Sequence, residues 1–415
     1  MRRFFTPSNV FTPSNIVSVA IIAAVATMVA VANWRDIRRS RAAYTRPVLA
    51  GAHGARTSRD DLERRVADLR RQAAARPDDV GVAVMLADAL MRQTRLTGNA
   101  GLANEAEAAL KRALDGDPAN YDANRTLGAL YLSQHRFREA IAIGGKNRDA
   151  RPYDPINYGV IGDGHLELGD YDQAFKAFDR MMSLRPSAAA YARVAYAREL
   201  QGNLAGAIDA MTLAADATAP DDPEALAWHH AQIGDLNLRL GRLHDAETAY
   251  ITASHAFPGH PFAVTGYARL LAARGETAGA LGLLQDLART APTPDLAART
   301  GDLLATLGRH DEAERQYALA EAGWRVDAPE PKNLARFLAD HNRRIDEAVA
   351  IAERAASERH DIFTEDALAW SYFKAGRLAE ARRVIAQALR TGTKDADILA
   401  HARAIAQPPM QAAAR

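Results

Sequence analysis

Leu168-Gly169-Asp170-Tyr171-Asp172-Gln173-Ala174-Phe175-Lys176-Ala177-Phe178 decides the fold, because close copies of this stretch recur along the chain at a nearly fixed interval. It reads as a helix end, a tight turn and the start of a second helix. Gly169 can take the positive φ that stops a helix, Asp170 can cap the next one, and Ala174 is small enough to let two helix backbones approach closely. The small residue recurs as Ala106, Ala140, Ala174, Ala207, Ala246, Ala280, Ala313, Ala348 and Ala381, at successive intervals of 34, 34, 33, 39, 34, 33, 35 and 33.

The turn residue keeps the same step as Gly169, Gly202, Gly241, Gly275, Gly308 and Gly376, with His135 and Asn342 standing in at two places. A prolyl stop recurs at Pro118, Pro152, Pro186, Pro220, Pro258 and Pro292. With period, glycine turn, alanine contact and closing proline together, residues 78–406 resemble a tetratricopeptide repeat array, built from helix-turn-helix units of roughly 34 residues. The run as a whole also resembles bacterial membrane-anchored repeat proteins of undetermined role. The resemblance implies an all-α fold, a right-handed α-solenoid of about nine hairpins.

Length alone, 415 residues with 48% hydrophobic content, would suggest several domains, but a solenoid absorbs the whole run as one. There are no cysteines, which excludes disulfides and thiolate metal sites. The net charge of +1 hides an asymmetry: residues 33–76 carry +7 and residues 77–415 carry −8. A mildly acidic array argues against nucleic acid as its partner, since neutralising phosphates needs a concentrated basic face.

Residues 1–34 hold a tandem duplication, Phe5-Thr6-Pro7-Ser8-Asn9 and Phe11-Thr12-Pro13-Ser14-Asn15, and then an uncharged run from Ile16 to Ala32. That run is long enough to cross a bilayer core, with Trp34 where an interfacial anchor would sit. The rival reading is a cleaved signal peptide ending at Ala30-Val31-Ala32. Arg35, Arg38, Arg39 and Arg41 favour an uncleaved single-pass anchor in the inner membrane and place the repeats on the cytoplasmic side, a periplasmic array being the alternative. Residues 35–57 form a basic linker, 58–77 a helix that covers the open apolar end of the first repeat, and 407–415 a loose tail.

Within the array the insert Thr94-Arg95-Leu96-Thr97-Gly98-Asn99-Ala100 is expected to lengthen the first hairpin's turn. Irregular joints are expected near 218–224 and 325–332. A last helix over 395–406 should face inward with Ile398, Leu399, Ala402 and Ile405.

No catalytic constellation gathers. His229-His230 point to different sides of a helix, and His255 and His260 flank a turn with little to make them ligands. His244-Asp245, His310-Asp311 and His360-Asp361 fall where hairpins turn, as caps. Gly162-Asp163-Gly164 and Gly144-Gly145-Lys146 lack the strand and spacing of phosphate loops. The sequence therefore points to a binding protein without catalytic chemistry, cofactor or metal. The family resemblance puts the first helices of successive repeats on the concave side. Carried onto this chain, it implies a groove of Arg125, Asp163, Glu167, Tyr196, Glu199 and Trp228, continued by Asp235, Phe262, Arg269, Asp302, Trp370 and Phe373. That open, acidic and aromatic face would suit an extended peptide with basic and apolar side chains. The expected role is a membrane-tethered scaffold for partner polypeptides. An exported protein assisting envelope assembly and a regulatory subunit of a separate enzyme or transporter are the alternatives.

Overall fold

A computed structural model of the chain describes residues 60–326 and 331–407. Regular structure among them is entirely helical. A first helix, α1 (60–75), precedes nine hairpins. The first four are α2 (Val80–Thr97) with α3 (Gly101–Gly116), α4 (Tyr121–Ser133) with α5 (Phe137–Ala150), α6 (Pro155–Leu168) with α7 (Tyr171–Leu184), and α8 (Ala188–Leu200) with α9 (Leu204–Asp216). Next come α10 (Pro223–Arg239) with α11 (Leu243–Ala256), α12 (Pro261–Ala273) with α13 (Thr277–Ala288), and α14 (Pro294–Thr306) with α15 (His310–Val326). The last are α16 (Pro331–Asp340) with α17 (Ile345–Glu358) and α18 (Ile362–Lys374) with α19 (Leu378–Ala388), before a final helix, α20 (Ala396–Ala406). The anchor at Ile16–Ala32, the linker, part of the second joint and the tail lie outside the described residues. No described helix is long and apolar enough to cross a membrane.

The recurring alanines explain the hairpins. All nine are at most 2% exposed, each at the contact between paired helices. The turns need a left-handed residue: Gly169 has φ +87°, and His135 and Asn342, the two substitutes, adopt φ +58° and +50°. Close approach has a second cause. A Cβ on Gly162 would sit 2.4 Å from the Phe178 ring, one on Gly234 2.5 Å from Tyr250, and one on Gly301 2.4 Å from Tyr317. In these three hairpins the first helix thus leaves a bare backbone notch, and an aromatic ring of its partner helix fills it.

Asp170 differs from its expected role. It does not cap α7, and its carboxylate meets His165 Nδ1 at 3.3 Å instead. Asp79, Asp154, Asp222 and Asp361 do cap their helices, each accepting a backbone N–H one or more residues ahead.

At the N-terminal end, Val66 and Leu69 of α1 are buried with Leu86 and Leu90 of α2. At the C-terminal end α20 buries Ile398 and Ile405. It also buries His401, on the same face, which hydrogen-bonds Asp366 at 3.0 Å and stacks on Trp370 with ring centres 4.1 Å apart.

The larger departure is that the coil closes on itself. The insert 94–100 does not form a long turn; most of it extends α2 to Thr97, and Gly98 ends the helix at φ +71°. The extra turn carries Leu96 into a cluster with Ala227, Ala231, Ala253, Phe257 and Ala263, from the fifth and sixth hairpins. Arg95 makes a two-pronged contact with Glu224 at 3.2 and 2.9 Å, and Arg92 approaches Asp222 at 3.5 Å.

A second seam joins the third hairpin to the segment between α17 and α18. There the His360 N–H donates to the Leu168 carbonyl at 3.0 Å and the Ile362 N–H to the Tyr171 hydroxyl at 2.9 Å. Arg359 reaches Glu167 at 3.0 Å and Asp361 at 2.8 Å. His360-Asp361 is thus more than a cap. Both seams pull successive turns of the coil together, so the concave face narrows to a half-open hollow instead of a wide open groove.

Candidate functional site

Inside the coil the first helices of the hairpins surround a lumen of about 920 Å³. Repeat geometry places its walls: α6, α8, α10, α12 and α14 turn the same face inward, so equivalent positions stack along the cavity. Of the residues the sequence nominated, Asp163, Glu167, Tyr196, Glu199, Trp228, Asp235, Phe262 and Arg269 line it together. The end of α2 adds Arg95 and its C-cap Gly98, and Phe363 of α18 comes in from across the second seam.

Four nominated residues lie elsewhere and have structural partners. Arg125 sits in a separate hollow with Tyr153 and pairs with Asp154 at 3.4 Å. Asp302 accepts from the Tyr317 hydroxyl at 3.0 Å and pairs with His341 at 3.0 Å. Trp370 donates to Asp340 at 2.8 Å, and Phe373 stacks on Trp370 with ring centres 5.1 Å apart. Both serve the junction with α20.

The lumen is not acidic. Five carboxylates line it, Asp163, Glu167, Glu199, Asp235 and Asp295, and so do five arginines, Arg95, Arg193, Arg239, Arg269 and Arg299. Most are matched across neighbouring first helices. Arg193 forks onto Asp163 at 2.9 and 2.6 Å, Arg239 meets Glu199 at 2.8 Å, and Arg269 and the Tyr250 hydroxyl both bind Asp235. Sequence reading missed Arg193, Arg239 and Arg299. A usable signal existed: Asp163 and Arg193 stand 30 residues apart and Asp235 and Arg269 34, about one repeat, so opposite charges fall side by side.

These groups touch water in the lumen but are ringed by protein, and their acidities shift accordingly. Burial raises Asp163 and Glu199 above the usual carboxylate range against the pull of Arg193 and Arg239. Burial also raises the Tyr196 hydroxyl well above its ordinary value. Arg299 moves the other way, lowered by burial and by the nearby Arg269. At the seam, burial opposes ionisation of Glu224, yet hydrogen bonds from His260 and Arg95 prevail and hold it at about 2. His229, buried on the lumen wall, is lowered to about 4 by burial and by its neighbour His230, and its Nδ1 lies 2.9 Å from the Thr218 hydroxyl.

Apolar surface is interleaved with the charges. Phe262 is 47% exposed, a large hydrophobic side chain left open inside a cavity rather than on the outer wall. Trp228, Leu287, Ala291 and Leu296 continue that strip. No group of three or more metal-ligating side chains gathers among the described residues.

Two family profiles, both described as tetratricopeptide repeat, match this chain, one over residues 100–143 and the other over 160–223 and 232–295. No curated protein matches it. Among solved structures, human IFIT1 with m7Gppp-AAAA is similar at a TM-score of 0.52 and 13% identity, over 80% of this chain and 76% of that one. The Cut9 complex with Hcn1 from the APC/C is similar at a TM-score of 0.49 and 14% identity over 80% of this chain, which spans only 56% of the length of its counterpart. Yeast Tom70 is similar at 0.44 and 16%, over 86% and 88% of the two chains. At such identities the likeness concerns the fold alone.

Proposed function

We propose that this tetratricopeptide repeat protein holds a segment of a partner polypeptide in the lumen of its closed coil. Repeats of this kind generally mediate contacts between proteins, on a scaffold that is typically non-catalytic. One observation carries the reading: a half-open cavity of about 920 Å³, walled largely by paired charges, has a large aromatic side chain, Phe262, left without full cover. Cavities of roughly 300–1,000 Å³ that mix apolar walls with a few placed polar groups are the usual form of a binding site. Fixed ion pairs orient a peptide, and exposed Phe262 with half-buried Trp228 offers apolar anchors at little ordering cost.

The same proposal places the coil beside a membrane. The uncharged run Ile16–Ala32 would serve as a single-pass tether, and the arginines after it would keep the repeats on the cytoplasmic side. The cell would then use the chain as a tethered scaffold.

Photocrosslinking from native membranes tests the lumen. A photoreactive side chain at Phe262 should capture a partner that the same group at the outer, exposed Leu319 does not. Equal capture from both positions would place the partner on the outside of the coil and end this reading. A reporter active on one side of the membrane only, fused after residue 60, decides the orientation.

A further inference from the structure

We propose that the coil opens at the first seam and stays shut at the second, so that the last turn of α2 is the gate by which a partner segment enters the lumen sideways. This rests on the lumen reading. The hollow is bounded by Arg95 and Gly98 at one seam and by Phe363 beyond the other. A segment from the middle of a partner chain has no free end to thread, so one of the seams must part to admit it.

The two seams are held differently. At the second, the His360 N–H donates to the Leu168 carbonyl and Arg138 donates to the Glu358 carbonyl, both at 3.0 Å. Arg359 and Asp361 are both buried and lie 2.8 Å apart, and Arg359 continues to Glu167 at 3.0 Å. Gly169 comes so close to the His360 backbone that a Cβ there would overlap it, and Gly202 stands in the same relation to the Gly392 carbonyl. Parting these surfaces separates buried charges and backbone bonds together, which is costly.

Across the first seam, among the described residues, no backbone hydrogen bond runs. Its ion pairs use Arg92 and Arg95, whose side chains are half exposed, and such pairs contribute little. Leu96 is the one buried α2 side chain in the cluster with the facing hairpins among the described residues. The closed seam also leaves two buried atoms, Gln93 Oε1 and His260 Nδ1, without a hydrogen-bond partner. Gln93 lines a hollow of about 250 Å³ with Leu96, Thr97 and Leu62 of α1. Water reaching these atoms on opening offsets part of the cost of exposing Leu96.

Gate and lumen touch through one side chain. The His260 ring centre lies 5.9 Å from that of Phe257, in the seam cluster, and 5.9 Å from that of Phe262, in the lumen. A segment that packs on Phe262 therefore presses on the packing that holds the gate.

The test uses the full chain, which has no cysteine of its own, with Phe262→Cys as the single label site. The reagent is a maleimide held on a short arm by streptavidin, too broad to enter the hollow, so its rate of reaction reads opening. Leu96→Ala should raise that rate about tenfold, as loss of most of a buried leucine gives. Arg92→Gln combined with Arg95→Gln, at half-exposed positions, should raise it severalfold and serves even where Leu96→Ala unfolds the first hairpin. Tyr171→Phe, which removes the acceptor of the Ile362 N–H at the second seam, should leave the rate unchanged. A cysteine placed at Leu319, on the outer face, should label at one rate in every background. Acceleration by Tyr171→Phe as large as that by the first-seam variants, or no acceleration by either of those, overturns the gate. The readout needs no partner, so that failure leaves the lumen reading standing, whereas equal photocrosslinking from Phe262 and Leu319 ends the lumen reading and the gate with it.

Discussion

Arg95 and Glu224 stand 129 residues apart in the chain and are joined by two hydrogen bonds of 3.2 and 2.9 Å. In a simple solenoid such distant units would not meet, because each repeat touches only its neighbours. Here a short insertion in the first hairpin reaches the fifth.

That insertion should act as a clasp whose apolar half matters most. Leu96 is 4% exposed, and Leu96→Ala should cost about 2–5 kcal/mol by leaving a cavity at the seam. Hydrogen exchange should rise in the last turn of α2 and the first turn of α10 before the rest of the array, and the solution radius of gyration should increase. If both stay at wild-type values, the seam does not hold the coil shut.

The polar half of the clasp has an acid limit. Glu224 is held at about 2, well below its unfolded value near 4.5. The unfolded chain therefore binds the proton first as pH falls. The stability this group contributes is complete above about 4.5 and is lost as pH drops toward about 2. Glu224→Gln should flatten that part of the acid-unfolding curve relative to wild type, and identical slopes would remove Glu224 from the account.

His229 should act in a milder window. Its value of about 4 lies below the 6.5 of a free imidazole, so the unfolded state takes up a proton that the folded wall refuses. Stability should be full above pH 6.5 and decline as pH falls to about 4. Comparison of chemical denaturation at intervals across that range checks it: His229→Gln should lose the slope, although its own baseline stability will differ.

The glycines separate into two classes that one substitution distinguishes. Gly162→Ala drives a methyl to 2.4 Å from the buried Phe178 ring and should destabilise by about 1–3 kcal/mol. Gly282, within α13, has open space around a built Cβ, and Gly282→Ala should stabilise by about 0.5–1 kcal/mol through helix propensity. Urea midpoints moving in the same direction for both would contradict the notch-and-ring packing.

Phe262 offers the cleanest separation of binding from folding. It is 47% exposed, so Phe262→Ala should change stability by no more than about 0.5 kcal/mol, while partner recovery in a pull-down falls severalfold. Asp235→Arg would be a poor probe, because Asp235 is already bonded to Arg269 and Tyr250 and the change would break the wall itself.

Hairpins were legible because their determinants are local. Ala174 and its equivalents, the left-handed turn residues and the prolines act within a single repeat, so spacing along the chain exposes them. Even the stand-ins His135 and Asn342 kept the required backbone sign. Eight of the nominated groove residues converge on the lumen for the same reason, since a fixed register on successive first helices stacks them. Closure was not legible. Whether Leu96 meets Phe257 depends on the accumulated rotation of four hairpins, and no local pattern encodes that sum. Arg193 and Arg239 were passed over because each residue was judged by its own position, not with the acid one repeat before it. Asp302, Trp370 and Phe373 occupy groove register but find partners in His341, Asp340 and α20, which only the packing reveals.

The two seams also fix how many hairpins this chain can have. An array whose ends are free can gain or lose a unit during evolution with little penalty, since the cut faces are alike. Deleting one hairpin between Arg95 and Glu224, or between Leu168 and His360, would leave each clasp facing the wrong neighbour. Gene-level duplication or loss of a single unit in that interval should yield a chain that no longer shuts, so geometry sets the count there.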